Sequence, residues 1–122
     1  MEKGKMMMMS NEMMMCVNEC MESHRMCMQT SMYCMEMGGE YMACVGMMRD
    51  CAQMCQTCAD FMITGSAMSA RMCEMCAEMC NKCAEMCAKF ADDAQMMACA
   101  EMMKKCAAAC MMMMQPGMMM MA

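Results

Sequence analysis

The sequence predicts an all-α protein, an antiparallel four-helix bundle whose core is lined with cysteine. Three observations support this fold class. The residues between turn signals are mostly Met, Ala, Glu, Gln and Lys, which are strong helix formers. The turn signals are few and divide the 122 residues into four long segments. Within each segment the cysteines recur at steps of three, four or seven residues, which places them on one face of a helix.

The first two helices are expected over residues 10–37 and about 40–63. Ser10 can cap the first helix, because its hydroxyl can accept a hydrogen bond from a free backbone N–H. The dipeptide Gly38-Gly39 can take the left-handed conformation that ends a helix. The second helix is expected to end at the Thr-Gly pair that follows residue 63.

The last two helices are expected over residues 66–90 and 93–114. Ser66 can cap the third helix, and the acidic pair Asp92-Asp93 suits the positive N-terminal end of the fourth. The fourth helix ends before the chain's single proline, and residues 115–122 form a tail. Four long helices with short connections favour an up-down-up-down bundle, in one domain that spans residues 1–122.

The cysteines form one stripe on each predicted helix, and a bundle buries one stripe from every helix. Side chains three or four residues apart on a helix lie about 5–6 Å apart at Cβ. One metal ion can therefore bridge such a pair of sulfurs, or link sulfurs on facing helices. We predict that all 16 cysteines are metal ligands. They are Cys16, Cys20, Cys27, Cys34, Cys44, Cys51, Cys55, Cys58, Cys73, Cys76, Cys80, Cys83, Cys87, Cys99, Cys106 and Cys110.

The arrangement of the thiols favours Cu(I) over other soft metal ions. Thiolate and thioether ligands select Cu(I), zinc or iron–sulfur clusters. Structural zinc sites use four ligands per ion, often from turns, whereas the Cys-x-x-Cys pairs here lie inside predicted helices. A Cu⁺ ion that replaces a thiol proton also leaves the buried unit neutral. The sequence therefore predicts multiple Cu(I) ions, in a number of the order of the cysteine count.

Charge and composition argue against several other classes of protein. The net charge of −5 and the aromatic content of 3% are unlike those of a nucleic-acid-binding protein. No stretch approaches the ~20 apolar residues of a membrane span. The start of the chain has only four apolar residues before polar ones, whereas a secretory signal needs roughly 7–15. We therefore expect a cytoplasmic protein, where dense cysteine indicates metal binding rather than disulfides. No Ser/His/Asp set, phosphate-binding loop or carboxylate pair points to an enzyme.

Two further residues, His24 and Met103, are candidate metal ligands. His24 lies between Cys20 and Cys27 and borders the thiol stripe. It can bind or gate copper, or it can lie on the helix surface bonded to solvent or a carboxylate. Met103 stands where the repeat seen at residues 76–80 places an inward-facing sulfur. Most other methionines are interpreted as packing residues.

Five stretches of the chain combine a particular cysteine register with particular turn residues. They are residues 19–27, 33–39, 50–61, 73–87 and 90–96. Through these stretches the chain resembles the cytosolic copper storage proteins, a family of Cys-rich four-helix bundles. The resemblance covers about residues 12–110 and is specific, because turn signals and cysteine register both match.

This resemblance implies a bundle that holds many Cu(I) ions inside it and assembles into a homo-oligomer, often a tetramer. It implies storage rather than catalysis, with the thiols as ligands. The family often has Cys where Ser23 and Met103 stand, and His near the position of Ser69. It also has Leu and other aliphatic residues at many positions that are Met here.

Two alternatives remain open from the sequence. A zinc or cadmium buffer similar to metallothionein would use the same thiols. An engineered Met-rich scaffold would use its 36 methionines for packing, with metal binding incidental. The absence of Leu from the chain favours an engineered variant, since a Leu-to-Met exchange conserves volume and costs under about 1.5 kcal/mol per site.

Overall fold

The computed structural model describes residues 9–114, and the predicted tail lies outside them. The described residues form four α-helices: α1 (Asn11–Met37), α2 (Val45–Ile63), α3 (Ser69–Ala88) and α4 (Ala94–Met112). A 3₁₀ segment, Gly39–Cys44, joins α1 to α2, and these residues include no strand. The predicted all-α class is therefore confirmed.

The helices form an antiparallel bundle in chain order. Helix α1 packs against α2 and α4, and α3 packs against the same two helices. Between α1 and α4, Cys16 lies next to Cys110, whereas Cys34 lies next to Met96, so the two helices run in opposite directions. The same reversal joins α2 to α3, through the pairs Cys58–Cys73 and Cys51–Cys80. The predicted four-helix bundle is thus confirmed.

The bundle consequently has two different ends. One end, the termini end, carries the start of α1, the α2–α3 connection and the last turn of α4. The other, the loop end, carries the α1–α2 and α3–α4 connections.

Two polar side chains start helices as the sequence indicates. The Ser10 hydroxyl accepts a hydrogen bond from the Met13 N–H at 3.1 Å, and the Asp93 carboxylate accepts one from the Met96 N–H at 3.1 Å. Each side chain satisfies a backbone donor that the first turn of its helix leaves free.

The second helix does not start at residue 40 as expected. Gly38 and Gly39 both adopt left-handed conformations, with φ of 69° and 55°. The chain then winds as the 3₁₀ segment and becomes α-helical only at Val45. This tighter winding brings Tyr41 to Asp93, whose carboxylate accepts the tyrosine hydroxyl at 2.6 Å. A contact across 52 residues thus overrides the local helix propensity.

The third and fourth helices are shorter than expected. Helix α3 starts at Ser69 rather than residue 66, because the Ser66 hydroxyl accepts a hydrogen bond from the Met68 N–H at 3.0 Å and so caps a turn. Helix α3 ends at Ala88, and α4 spans Ala94–Met112 rather than 93–114. These differences of one to three residues are typical of helix ends.

An aromatic and acidic cluster holds the two connections of the loop end together. The hydroxyls of Tyr33 and Tyr41 both donate to Asp93 Oδ2, at 2.7 and 2.6 Å. The ring of Tyr41 packs on Phe90 with centroids 4.4 Å apart. The hydrogen bonds from Tyr41 and Tyr33 lower the pKa of Asp93, and the Asp93 carboxylate raises the pKa of Tyr41 to about 12.

The lowered pKa of Asp93 predicts a stability difference that depends on pH. A carboxyl whose folded pKa is below its ordinary value of 3.8 stabilises the fold above that value and loses the effect as pH falls through the folded pKa. We expect the double variant Tyr33→Phe/Tyr41→Phe to melt below the wild type at pH 7. The gap should narrow as pH falls below 3.8. Calorimetry of the metal-free protein between pH 2 and 7 measures this difference in melting temperature. A difference that is constant over this range contradicts the lowering of the Asp93 pKa by the two tyrosines.

Candidate metal centre

The core of the bundle is a column of thiols. All 16 cysteines are buried; Cys44 is 2% exposed and each of the others is 0% exposed. The spacing of three and four residues explains the burial, because it keeps each helix's thiols on the stripe that faces the bundle axis. The predicted thiol-lined core is therefore confirmed.

Other small or flexible side chains complete the same stripes. Each occupies a position three or four residues from a cysteine and is buried. They are Met13, Ser23 and Thr30 on α1, Met48 and Met62 on α2, Ser69 on α3, and Met96 and Met103 on α4. Methionine suits these positions because its flexible side chain fills irregular gaps.

The sulfur atoms of eleven cysteines form four compact groups, in each of which all sulfurs lie within 4.8 Å of one another. Two groups contain four thiols and two contain three. The four-thiol groups are Cys20, Cys76, Cys106, Cys110 and Cys55, Cys76, Cys80, Cys106. The three-thiol groups are Cys16, Cys73, Cys110 and Cys27, Cys83, Cys99. Three of the groups share thiols, and the group of Cys27 shares none.

The shared thiols join the sulfurs of the termini end into one network. Cys76 and Cys106 belong to both four-thiol groups, and Cys110 belongs to two groups. Neighbouring sulfurs along this network are 3.6–4.0 Å apart. Three sulfurs around one ion, each about 2.3 Å from it, lie about 4 Å from one another. The thiols therefore need little movement to become bridging metal ligands.

A second network occupies the loop end. Cys27, Cys83 and Cys99 form its compact group. Cys87 adjoins this group, and its pKa is shifted by the nearby thiols of Cys83 and Cys99. Cys34 and Cys44 lie near the end of the bundle, and the proximity of Cys44 contributes to the raised pKa of Cys34.

Met103 lies between the two networks. Its Sδ atom is 3.4 Å from Cys27 Sγ and 3.6 Å from Cys51 Sγ. Cys51 in turn lies 3.7 Å from Cys80 of the termini-end network. The structure thus places the Met103 thioether among thiols, where the internal repeat predicts an inward-facing sulfur.

Burial favours the neutral form of the outermost thiols. It raises the pKa of Cys34 to about 11, and it raises the pKa of Cys44 although the nearby Lys89 acts in the opposite direction. Deeper in the column, the neighbouring thiols of Cys110, Cys20 and Cys73 lower the pKa of Cys58 to about 6. Since unpaired buried charges are costly, the metal-free column must keep most of its thiols protonated.

Ser23 is the one buried side chain without a hydrogen-bond partner for its polar atom within residues 9–114. Its hydroxyl is on the thiol stripe of α1, between Cys20 and Cys27, and is 0% exposed. The buried hydroxyl of Thr30, by contrast, accepts a hydrogen bond from Gln95 at 3.0 Å.

The structure does not bring His24 together with the thiols. Its Nδ1 is 2.8 Å from the carbonyl oxygen of Ala52, at the contact between α1 and α2. Because a carbonyl can only accept, this nitrogen carries the proton. His24 belongs to none of the compact sulfur groups, so its role as a ligand stays a prediction.

Two further thioethers contact the column and were not singled out from the sequence. Met96 Sδ is 3.7 Å from Cys34 Sγ at the loop end, and Met62 Sδ is 3.8 Å from Cys73 Sγ at the termini end. Both lie three or four residues from a cysteine on their own helix. This spacing was the available signal, but the abundance of methionine elsewhere in the chain obscured it.

Comparison with known proteins supports metal storage. A family model described as copper storage protein matches residues 4–115. The crystal structure of a protein from Nitrosospira multiformis is similar, with 32% sequence identity and a TM-score of 0.79. The similarity covers 84% of this chain and 94% of that one. A comparison with curated proteins finds no match. None of the helices described here is long and apolar enough to cross a membrane.

The unpaired hydroxyl of Ser23 predicts that its removal does not harm the metal-free protein. A buried polar group without a partner costs about 1–3 kcal/mol. We expect Ser23→Ala to raise the free energy of unfolding by about 1 kcal/mol, and Thr30→Val, which removes a satisfied hydroxyl, to lower it by about 1 kcal/mol. Urea denaturation under reducing conditions measures both. Equal destabilisation by the two changes contradicts this account of Ser23.

Proposed function

The chain belongs to the copper storage protein family, and we propose that it stores copper as Cu(I), with about one ion for each of its 16 thiols. The sharing of sulfurs between compact groups is the observation that carries this proposal. A store of many ions needs thiolates that bridge neighbouring ions, and the spacing of 3.6–4.0 Å suits such bridges.

Charge neutrality supports Cu(I) as the stored form. Each Cu⁺ that enters breaks one S–H bond, forms copper–sulfur bonds and releases one proton to solvent. The net charge of the column is therefore unchanged by loading. No electron is transferred, and thiolates are soft ligands that favour the monovalent ion.

The overlap of the two four-thiol groups argues against a zinc buffer. Each group has the number of ligands for one tetrahedral zinc ion. Both groups use Cys76 and Cys106, however, so two independent Zn²⁺ sites cannot be complete at the same time. Each divalent ion would also leave an uncompensated charge if it replaced only one proton. A cadmium or zinc buffer is therefore the second candidate.

We assign the ligand role to the 16 thiols and to the Met103 thioether. The Met103 sulfur is within 3.6 Å of two thiols, so it can complete the coordination of an ion that a thiolate neutralises. His24 is not part of this assignment, because its hydrogen bond to Ala52 holds the ring against α2. We propose no catalytic role for any of these residues.

A cytoplasmic location forms part of the proposal. Sixteen buried thiols in mutual contact are stable as thiols only where the surroundings are reducing.

We also propose that the protein forms a homo-oligomer, with a tetramer as the expected size. Four methionines on the outer face of α1 follow one another at steps of seven residues and are 39–46% exposed. They are Met14, Met21, Met28 and Met35. A seven-residue repeat of apolar side chains is the pattern of a helix that packs against a second helix. A second copy of the chain offers the same stripe.

The oligomer proposal can be tested with charge substitutions. Lysines that face each other across an apolar contact destabilise it through burial of charge. We expect Met21→Lys/Met28→Lys to shift the apparent mass towards the monomer value of 13.7 kDa in sedimentation velocity experiments. Met75→Lys, a change at a 50% exposed methionine of α3, is the matched control and should leave the oligomer intact. A monomeric wild type, or equal dissociation by the control, contradicts the proposed face.

The storage proposal is tested by anaerobic titration of the reduced protein with Cu(I). We expect the ultraviolet thiolate–copper absorbance to stop rising near 16 equivalents. One proton per copper should be released, measured with a pH indicator in weak buffer. Saturation at four or fewer equivalents of Cu(I), or zinc binding that outcompetes Cu(I), would contradict the proposal.

A further inference from the structure

The two thiol networks of the column meet at a narrow boundary near the middle of the bundle. We call them the nine-thiol group and the six-thiol group. The nine-thiol group, towards the termini end, contains Cys16, Cys20, Cys55, Cys58, Cys73, Cys76, Cys80, Cys106 and Cys110. The six-thiol group, towards the loop end, contains Cys27, Cys34, Cys44, Cys83, Cys87 and Cys99. Cys51 is the remaining cysteine.

Two of the four helices place no thiol at this boundary. On α1, Ser23 occupies the stripe position between Cys20 and Cys27. On α4, Met103 occupies the stripe position between Cys99 and Cys106. Both side chains are 0% exposed, so they are part of the column and interrupt its series of thiols.

The third helix, α3, has cysteines on both sides of the boundary, but their sulfurs contact different partners. Cys80 Sγ lies 3.7 Å from Cys51 and Cys55. Cys83 Sγ is grouped with those of Cys27 and Cys99. The two consecutive thiols of α3 therefore belong to different networks.

Only α2 supplies a thiol that reaches both networks. Cys51 contacts Cys80 of the nine-thiol group at 3.7 Å, and the thiols of Cys27 and Cys83 in the six-thiol group lie close enough to lower the pKa of Cys51. The Met103 thioether lies beside it, 3.6 Å away.

From this geometry we infer that Ser23 and Met103 divide the stored Cu(I) into two pools that fill and empty separately, joined only through Cys51. The inference rests on the proposed storage of Cu(I). A thiolate can bridge two Cu(I) ions and neutralise their charge, so a continuous series of thiols supports one continuous cluster. A thioether carries no charge, and a hydroxyl is a hard ligand that Cu(I) disfavours. Neither residue can extend a copper–thiolate cluster across the boundary.

The test is the removal of copper from the fully loaded protein by an excess of bathocuproine disulfonate, a Cu(I) chelator, without oxygen. We expect the wild type to lose copper in two phases with amplitudes near nine and six, the ion at Cys51 joining either phase. At half loading, native mass spectrometry should show a distribution of the number of bound copper ions per protein that has two maxima.

Variants at the boundary distinguish a division into pools from other causes of two phases. Met103→Cys and Ser23→Cys each add a thiol at the boundary, from two neighbouring helices. We expect each to raise the capacity by one ion and to merge the two phases into one. Met103→Leu keeps the boundary free of thiol and should retain both phases of release.

Met48→Leu is the matched control. It removes another fully buried thioether, and the Met48 sulfur accepts no hydrogen bond from a thiol within residues 9–114. This variant should release copper as the wild type does. Circular dichroism of each metal-free variant verifies the helical fold, and two independent thiol insertions keep the test valid if one of them fails to fold.

The outcomes separate this inference from the storage proposal on which it rests. A capacity far below the number of thiols overturns storage itself. A full capacity with single-phase release in the wild type overturns only the division into pools. Two phases that persist in both thiol-insertion variants also overturn it, because the boundary residues would then have no part in separating the phases.

Discussion

The structure depends on one constraint, which is that a column of ionisable sulfur must be electrically neutral to be buried. Sixteen thiols at most 2% exposed cannot ionise together without compensation. In the metal-free protein, protons provide that compensation, as the raised pKa of Cys34 and Cys44 illustrates. In the loaded state that we propose, monovalent copper takes the place of the protons. The choice of a monovalent metal that we propose follows from the requirement that one positive charge accompanies each buried sulfur.

The sequence predicts the bundle and the thiol column well, because both follow from local periodicity. A step of three, four or seven residues fixes which face of a helix a cysteine occupies, whatever the rest of the chain does. Features that depend on contacts distant in sequence were not predictable in this way. The 3₁₀ segment exists because Tyr41 reaches Asp93, and the hydrogen bond of His24 to Ala52 depends on the packing of α1 on α2. Neither contact leaves a periodic signal.

Methionine has at least two functions in this protein, and the sequence alone does not separate them. Inside the bundle, Met62, Met96 and Met103 bring thioether sulfurs within 3.4–3.8 Å of thiols. Outside it, methionines such as Met21 and Met28 cover the surface of α1 and leave large apolar side chains partly exposed. The same flexible side chain suits both environments, since it fills gaps in a core and adapts to a packing partner. Position on the helix, rather than residue type, decides whether a methionine belongs to the thiol column.

Complete burial of the thiols has a consequence for how other molecules encounter the protein. The exchange of H⁺ for Cu⁺ that we propose leaves the formal net charge at −5, and the thiols that change are buried behind the outer faces of four helices. The electrostatic field outside the bundle is therefore nearly the same whether the protein is empty or full. A partner protein that recognises only the surface charge cannot distinguish the empty protein from the loaded one. Recognition of the filled state requires access to an end of the column, or a change in the rigidity of the helices around it.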